Sequence, residues 1–320
     1  AELLGVSVYD NTARYGGGLY FRETASVQIH DAHIHSNTAD SAVASSPSEN
    51  SVSGGGLTAD YVDEVDISDT TIEDNVALYD YSANAAGVRL GYCGTCTLTD
   101  VVIQRNRIEI TPDNTRTWGS WGSGGGMLLV QDGEYTLSRV TVRDNRATSL
   151  SDFPYGGGVY AYYVDSLVIE DSAFVGNDVG WGFGGGGELV ADEIVIRGST
   201  FEQNFGQDST GVYVSAPHVT LEDITFRDNV PTSTGGIVME AATSALSIDG
   251  MTISSHIESD GIEISTDQLD INDLHISDTI DALLIEEATD VTVTNSTFSG
   301  NWNTDPVSYT HLTLPTSTHV

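Results

Sequence analysis

The sequence contains no lysine: its basic residues are 11 arginines, which face 47 acidic residues. At a formal net charge of −36 the surface repels phosphate backbones and anionic lipid, so we expect neither a nucleic-acid partner nor an acidic membrane partner. Binding of divalent cations and adaptation to salty water are two functional interpretations of this acidity. The solubility of an extended, edge-rich molecule is the structural one, and composition alone leaves all three open.

Long apolar runs and helical periodicity are also missing. We therefore predict no membrane span in this chain. The sequence starts without an initiator methionine or a signal peptide and enters part-way through a repeat, at residues 3–8. This start predicts a piece of a longer, exported protein.

Cysteine is scarce, with two residues at Cys93 and Cys96. A single CxxC with no second pair and no nearby histidine is poor evidence for zinc binding or redox chemistry. A local disulfide in an oxidising compartment is the interpretation we favour.

Glycine, in contrast, is abundant, and it recurs in a regular pattern along the sequence. Runs of glycine precede short strands of alternating apolar and polar residues along the chain. The clearest copies begin at Gly16, Gly54, Gly124, Gly156 and Gly184, and weaker ones at Gly87, Gly211, Gly235 and Gly261.

A second phrase alternates with the first along most of the chain: an apolar residue three positions before an asparagine. These asparagines are Asn37, Asn75, Asn106, Asn145, Asn177, Asn204, Asn229 and Asn301, with Asn11 in the partial first copy. Another alternating strand lies between the two phrases, as in residues 65–67 and 167–169. Each repeat therefore carries three short strands of period two.

This pattern predicts an all-β, right-handed parallel β-helix of about ten coils, with three short strands per coil. Such coils bury their apolar face only when stacked, so like residues lie on like. We expect one domain over residues 1–306. Residues 307–320 break the pattern and resemble translated adapter read-through from sequencing, so we expect this tail to contribute nothing to function.

Glycine-led strands paired with FxxN motifs resemble the repeats of polymorphic outer membrane proteins of bacteria. Gly18-Leu19, Gly158-Val159 and the segments 174–177, 201–204, 226–229 and 298–301 carry the resemblance, which covers residues 5 to about 305. The third position is usually glycine here, where that family often has alanine. The resemblance implies an exported or cell-surface protein with adhesin-like surfaces.

Stacking converts each repeat position into a column. We predict a structural role for the asparagines, whose amides can bond along the axis. A column of aspartates at Asp31, Asp69, Asp100, Asp171, Asp223 and Asp273 has calcium binding as an alternative. Glycine or asparagine replaces aspartate at Gly198, Gly250 and Asn295, which favours a turn with positive φ.

Three histidines, His30, His33 and His35, are candidate metal ligands because neighbouring imidazoles can share a metal. No such trio recurs and no carboxylate is fixed beside them by spacing. We favour an incidental surface cluster.

Function is expected in the loops that differ between coils, from Asn37 to Gly184. Aromatic residues in and beside these loops are the candidate ligand-binding residues, because their rings can stack on sugars or anchor a protein partner. They are Tyr79, Tyr81, Trp118, Trp121, Phe153, Tyr155, Tyr160, Tyr162, Trp181 and Phe183. Packing of these rings against the body of the protein is the alternative.

Catalytic candidates are confined to Glu188, Glu240 and Glu263, and the spacing does not fix their separation. Our first hypothesis is therefore a non-catalytic, extracellular β-helix that binds a glycan or a surface protein. A pectate-lyase-like lyase or a glycoside hydrolase is the alternative, and a structural spacer is the third.

Overall fold

The computed structural model describes residues 1–43, 51–79, 82–110, 121–149, 154–207, 209–231, 237–240, 244–254 and 261–301. The predictions for Tyr81, Trp118, Phe153 and the tail 307–320 lie outside the described residues, as do the side chains of Trp121 and Glu240. Within the described ranges the only helical segment is the 3₁₀ turn Ser41–Val43. None of these residues forms a helix long and apolar enough to cross a membrane.

Parallel strands from successive coils pair along the whole molecule. Leu57–Ser68, for example, lies between Leu19–His30 of the preceding coil and Val88–Thr99 of the following one. Ile67 is aligned with Ile29 on one side and Leu98 on the other. Like residues therefore stack on like, and the predicted all-β parallel β-helix is confirmed.

The glycine-led strand of each coil runs directly into the middle strand, with a bend between them in most coils. In order along the chain, these strands are Glu2–Leu4, Leu19–His30, Leu57–Ser68, Val88–Thr99, Met127–Val130 with Glu134–Ser138, Val159–Glu170, Gly187–Arg197, Val212–Ser215 with His218–Glu222, Ile237–Glu240 with Ala245–Ser254, Ile262–Ser265 with Gln268–Ser277, and Leu283–Glu287 with Asp290–Thr294.

The third strand of the coil is short and ends just before the asparagine. These strands are Ser7–Tyr9, His33–His35, Thr71–Glu73, Val102–Gln104, Thr141–Arg143, Ala173–Val175, Thr200–Glu202, Thr225–Arg227 and Thr297–Ser299. In two coils the third strand is the end of a longer strand, Ala245–Ser254 or Gln268–Ser277.

The aspartate column occupies the turn between the middle and third strands. Asp31, Asp69, Asp100, Asp171, Asp223 and Asp273 all have φ between 48° and 57°, and Gly198, Gly250 and Asn295 share the positive φ. Aspartate, asparagine and glycine tolerate this left-handed conformation better than other residues do. The turn explanation is therefore confirmed for this column.

The core is a continuous stack of aliphatic side chains with a phenylalanine stack on one side. The ring centroids of Phe174 and Phe201 are 4.7 Å apart, and those of Phe201 and Phe226 are 5.0 Å apart. All three rings are buried. Offset-parallel stacking of this kind adds to the burial of apolar area.

The segments between asparagine and glycine contain more regular structure than the sequence predicts. They form further stacked strands, Thr12–Ala13, Thr38–Asp40, Val76–Tyr79 and Arg107–Ile110 in one sheet, Ser51–Ser53, Ser82–Asn84 and Trp121–Ser123 in a second, and Phe205–Gly206 with Val230–Pro231 in a third. Ala39, Ala77, Tyr79, Ala83 and Ile108 belong to a second buried cluster beneath them. In the first half of the chain the described parts of these segments therefore add further strands to the β-helix.

Candidate functional site

The asparagine column forms a buried hydrogen-bonded ladder. Asn106 Nδ2 donates to Asn145 Oδ1 and to the carbonyl oxygen of Ile72, both at 3.0 Å. Its Oδ1 accepts from the backbone N–H and the Nδ2 of Asn75, at 3.0 and 2.9 Å. The same contacts repeat from Asn37 to Asn229, so these side chains are structural.

Cys93 and Cys96 form a disulfide with a Cα–Cα distance of 6.2 Å. Both side chains are buried beside the bend of Val88–Thr99, where Tyr92 has φ 52°. The bond therefore fixes a bend in one coil, and neither sulfur offers a free thiol for metal binding.

The three histidines do not converge on a metal site. His30 Nδ1 lies 2.7 Å from Ser68 Oγ, and His33 Nε2 lies 2.7 Å from Glu73 Oε1. His35 stacks on Tyr9, with ring centroids 5.1 Å apart. Among the described residues, no group of three or more histidine, cysteine, aspartate or glutamate side chains is arranged to hold a metal ion.

A cleft of about 530 Å³ opens on the outer face of the glycine-led strands. Its floor comes from three successive coils, and its wall comes from the strands that precede the glycines. The floor residues are Leu128, Val130, Tyr160, Tyr162 and Glu188, and the wall residues are Ser82, Asn84, Ser123 and Tyr155.

Three of the four wall residues, Asn84, Ser123 and Tyr155, belong to one column of the repeat, just before the turn that leads into the floor strand. Aligned along this column are Tyr15, Ser53, Asn84, Ser123, Tyr155 and Phe183. The glycine after it takes a positive φ, 61° at Gly156 and 68° at Gly184, so the chain reverses sharply. This turn places the wall residue beside the floor of its own coil. The cleft exists because the column changes from small polar to aromatic side chains.

A row of tyrosine rings forms one end of the cleft. The ring of Tyr160 stacks on Tyr155 at 5.4 Å between centroids and on Tyr162 at 5.6 Å. Tyr155 also stacks on Phe183 at 6.1 Å. Burial, and after it the charge of Glu188, raises the pKa of Tyr160 well above its usual range. The phenol of Tyr160 therefore stays neutral, and the row presents apolar ring surface edged by hydroxyl groups.

Glu188 is the charged residue that lines the cleft within the described part of the chain. Its side chain points outward from the strand Gly187–Arg197, between Tyr160 of the preceding coil and Tyr213 of the following one. The residue is only 8% exposed, and its Oε2 has no hydrogen-bond partner. Burial raises the pKa of this carboxyl from 4.5 to about 8, so it is mostly protonated at neutral pH.

Glu263, the other candidate carboxylate with a described side chain, does not line this cleft. The column that holds Glu188 continues through Tyr213 and Val238 to Glu263. Three coils at the spacing of paired strands separate the two glutamates by about 14 Å along the axis. Glu240 is aligned with Ser265 in a neighbouring column. Glu188 and Glu263 therefore do not form the close carboxylate pair that a glycosidase uses.

Of the aromatic candidates outside this row, Tyr79 and Trp181 differ most. Tyr79 is fully buried and its hydroxyl donates to the carbonyl oxygen of Thr148 at 2.7 Å. Its ring therefore packs the second core cluster and offers no surface to a ligand. Trp181 is 73% exposed but does not line the cleft. Tyr155, Tyr160 and Tyr162 line it, and Phe183 supports Tyr155 from the next coil.

Sequence reasoning missed Ser82, Asn84, Ser123, Leu128 and Val130, which complete the cleft. Their positions relative to the glycine runs of the repeat could have identified them. Asn84 and Ser123 come directly before the turn, Ser82 lies two residues earlier, and the floor residues alternate after the turn. Without the turn geometry, nothing in the sequence indicated that these two positions lie side by side.

Comparison with known families gives one match. The model of a family described as right-handed β-helix region matches residues 55–229 and 125–311. No match was found among curated proteins or among solved structures. The family assignment therefore rests on the repeat, which describes the coil and carries no information about a particular ligand.

Proposed function

Because the chain belongs to the right-handed β-helix family, we propose that it is a rigid binding scaffold that holds a glycan in the cleft between Ser123 and Glu188. We further propose an extracellular or cell-surface location. The resemblance of the repeats to those of polymorphic outer membrane proteins and the disulfide Cys93–Cys96 support this location.

The observation that carries the proposal is the composition of the cleft. Tyr155, Tyr160 and Tyr162 supply stacked ring surface, and Ser82, Asn84 and Ser123 supply hydroxyl and amide groups opposite them. Sugars present apolar C–H faces and a rim of hydroxyl groups, so they match a surface of this kind. A volume of about 530 Å³ lies within the range of small-ligand sites.

A polysaccharide-cleaving enzyme is the second candidate, and Glu188 is the observation in its favour. A buried, protonated carboxyl is suited to general acid catalysis. Glycosidases need a second carboxylate within about 10 Å, and Glu263 lies about 14 Å away along the axis. We therefore place binding ahead of cleavage. Release of reducing ends or unsaturated uronates from polysaccharides would reverse this order.

A glycan array tests the proposal. The wild-type protein should bind a defined set of glycans, and Tyr160→Ala should reduce that binding at least tenfold because it removes the central ring of the row. Tyr92→Ala is the matched control: Tyr92 is an exposed tyrosine that stacks on Tyr61 outside the cleft, with centroids 4.4 Å apart.

Equal binding by wild type and Tyr160→Ala would show that the cleft is not the glycan-binding site. Loss of binding in the Tyr92→Ala variant would move the site to the exposed tyrosine pair. Absence of all binding would favour a structural spacer, provided that the unfolding transitions of the three proteins match.

A further inference from the structure

Glu188 differs from the other acidic residues of the molecule in how it meets solvent and neighbours. Most carboxylates here are exposed, and many pair with arginines of adjacent coils, as Asp100 does with Arg139 at 2.7 Å. Glu188 is nine-tenths buried, lines an open cleft and has an unpartnered Oε2. An unsatisfied buried polar atom at a cleft surface indicates that a ligand supplies the missing hydrogen bond.

The groups that face Glu188 are phenols. Tyr160 and Tyr213 flank it in the adjacent coils, and Tyr155 and Tyr162 share the cleft. No arginine or histidine lines the cleft among the described residues. In the same column Arg89 lies three coils away, about 14 Å along the axis, and pairs with Asp60 at 3.2 Å.

Such surroundings do not stabilise a negative charge. An ionised carboxylate at this buried position would be poorly solvated and would have no arginine or histidine beside it among the described lining residues, and a uronate ligand would add a second charge. The neutral acid, in contrast, has an O–H that can donate to a ligand oxygen.

We propose that Glu188 contacts an uncharged saccharide as a neutral carboxylic acid, whose O–H donates to a hydroxyl or ring oxygen of the sugar. This inference rests on the glycan-binding function proposed above. The cleft then selects neutral sugars over uronic acid polymers. It also loses affinity when the carboxyl ionises, because ionisation removes the donor and leaves a buried charge.

The sign of the pH dependence follows from the raised pKa. Below pH 8 the free protein carries the proton that the complex needs, and above pH 8 it must take one up. Affinity should therefore be constant from pH 5 to 7 and fall about tenfold by pH 9. The phenols of Tyr160 and Tyr162 do not ionise in this pH range, since the pKa values of both are raised.

Isothermal titration with defined probes tests the inference. The probes are cellohexaose, xylohexaose and mannohexaose as neutral sugars, hexagalacturonate as the uronate, and a glucosamine hexamer as the cation. We expect binding of at least one neutral hexamer, at least tenfold weaker binding of hexagalacturonate, and the loss of affinity above pH 8. Glu188→Gln should make the neutral-sugar affinity independent of pH between 5 and 9, because the amide keeps a donor that does not ionise.

A second readout does not require a ligand. The unfolded chain ionises Glu188 above pH 4.5 while the folded protein keeps it protonated to about pH 8, so stability falls across that interval. Glu188→Gln should therefore have a higher Tm than wild type at pH 7 and no advantage at pH 4. Equal Tm differences at both values would contradict the neutral acid.

The possible outcomes distinguish a failure of the neutral-acid role of Glu188 from a failure of the proposed glycan binding. Tight binding of hexagalacturonate, preference for the glucosamine hexamer with affinity rising with pH, or a loss of affinity above pH 8 that persists in Glu188→Gln would each overturn the inference and leave a binding cleft. Failure of all five probes to bind would remove the proposed function together with the inference.

Discussion

At the scale of single residues, the buried polar side chains Asn106 and Glu188 differ in whether the fold satisfies their hydrogen bonds. Asn106 makes four hydrogen bonds along the ladder. Glu188 leaves Oε2 unpartnered and faces a cleft. Asn106 therefore stabilises the coil, whereas Glu188 reduces stability near neutral pH and keeps a group available for a ligand.

Replacing Asn106 by alanine should destabilise the fold by about 3 kcal/mol or more, because it also leaves buried partners on Asn75 and Asn145 unsatisfied. Asn11→Ala is the matched control, since Asn11 is exposed at the end of the ladder, and it should cost less than about 1 kcal/mol. Urea unfolding followed by circular dichroism measures both. Equal losses would show that the ladder does not depend on burial.

At the scale of strands and turns, the glycine turn positions both the core strand and the cleft wall. Gly156 has φ 61°, and a Cβ there would overlap the carbonyl oxygen of Val159. Gly180 has a similar φ of 63° but no heavy atom within 4 Å of such a Cβ. Alanine substitution at Gly180 therefore introduces backbone strain alone, whereas alanine at Gly156 introduces the same strain together with steric overlap.

Gly180→Ala should cost about 1 to 2 kcal/mol, the strain of a left-handed alanine. Gly156→Ala should cost clearly more, because the turn must also open and carry Tyr155 away from Tyr160. The free energy of unfolding of each variant gives the comparison. A smaller loss for Gly156→Ala than for Gly180→Ala would contradict the role assigned to the turn.

The repeat in the sequence was sufficient to predict the three strands of each coil, but it did not predict the additional strands between the asparagine and the glycine run. Columns at Asn106 or Ile67 repeat many times, so their positions were predictable from period and spacing. Strands such as Ser82–Asn84 are only three residues long, and their pattern is too short to distinguish from a turn. The cleft depends on the contrast between Ser123 and Tyr155 in adjacent coils, which became visible only with the turn geometry in place.

At the scale of the whole molecule, arginines link adjacent coils across an acidic surface. Arg105 contacts Asp74 at 2.8 Å, and Arg197 contacts Glu222 at 2.7 Å. These pairs are exposed and each contributes little to stability. The 11 arginines offset only part of the charge of the 47 acidic residues, and the remaining net charge of −36 makes the surface as a whole repel anionic polymers. This long-range repulsion and the neutral cleft both favour uncharged ligands.

The central claim is that the cleft between Ser123 and Glu188 is the binding site, and filling it is the most direct test. Tyr155 and Phe183 occupy the position of Ser123 in the next two coils, so Ser123→Tyr extends an existing aromatic stack and should preserve the fold. Isothermal titration with the neutral hexasaccharide that binds wild type should show at least a tenfold loss of affinity in Ser123→Tyr. Ser123→Ala should stay within about threefold, and the unfolding transitions should match. Undiminished affinity in a folded Ser123→Tyr variant would contradict the account.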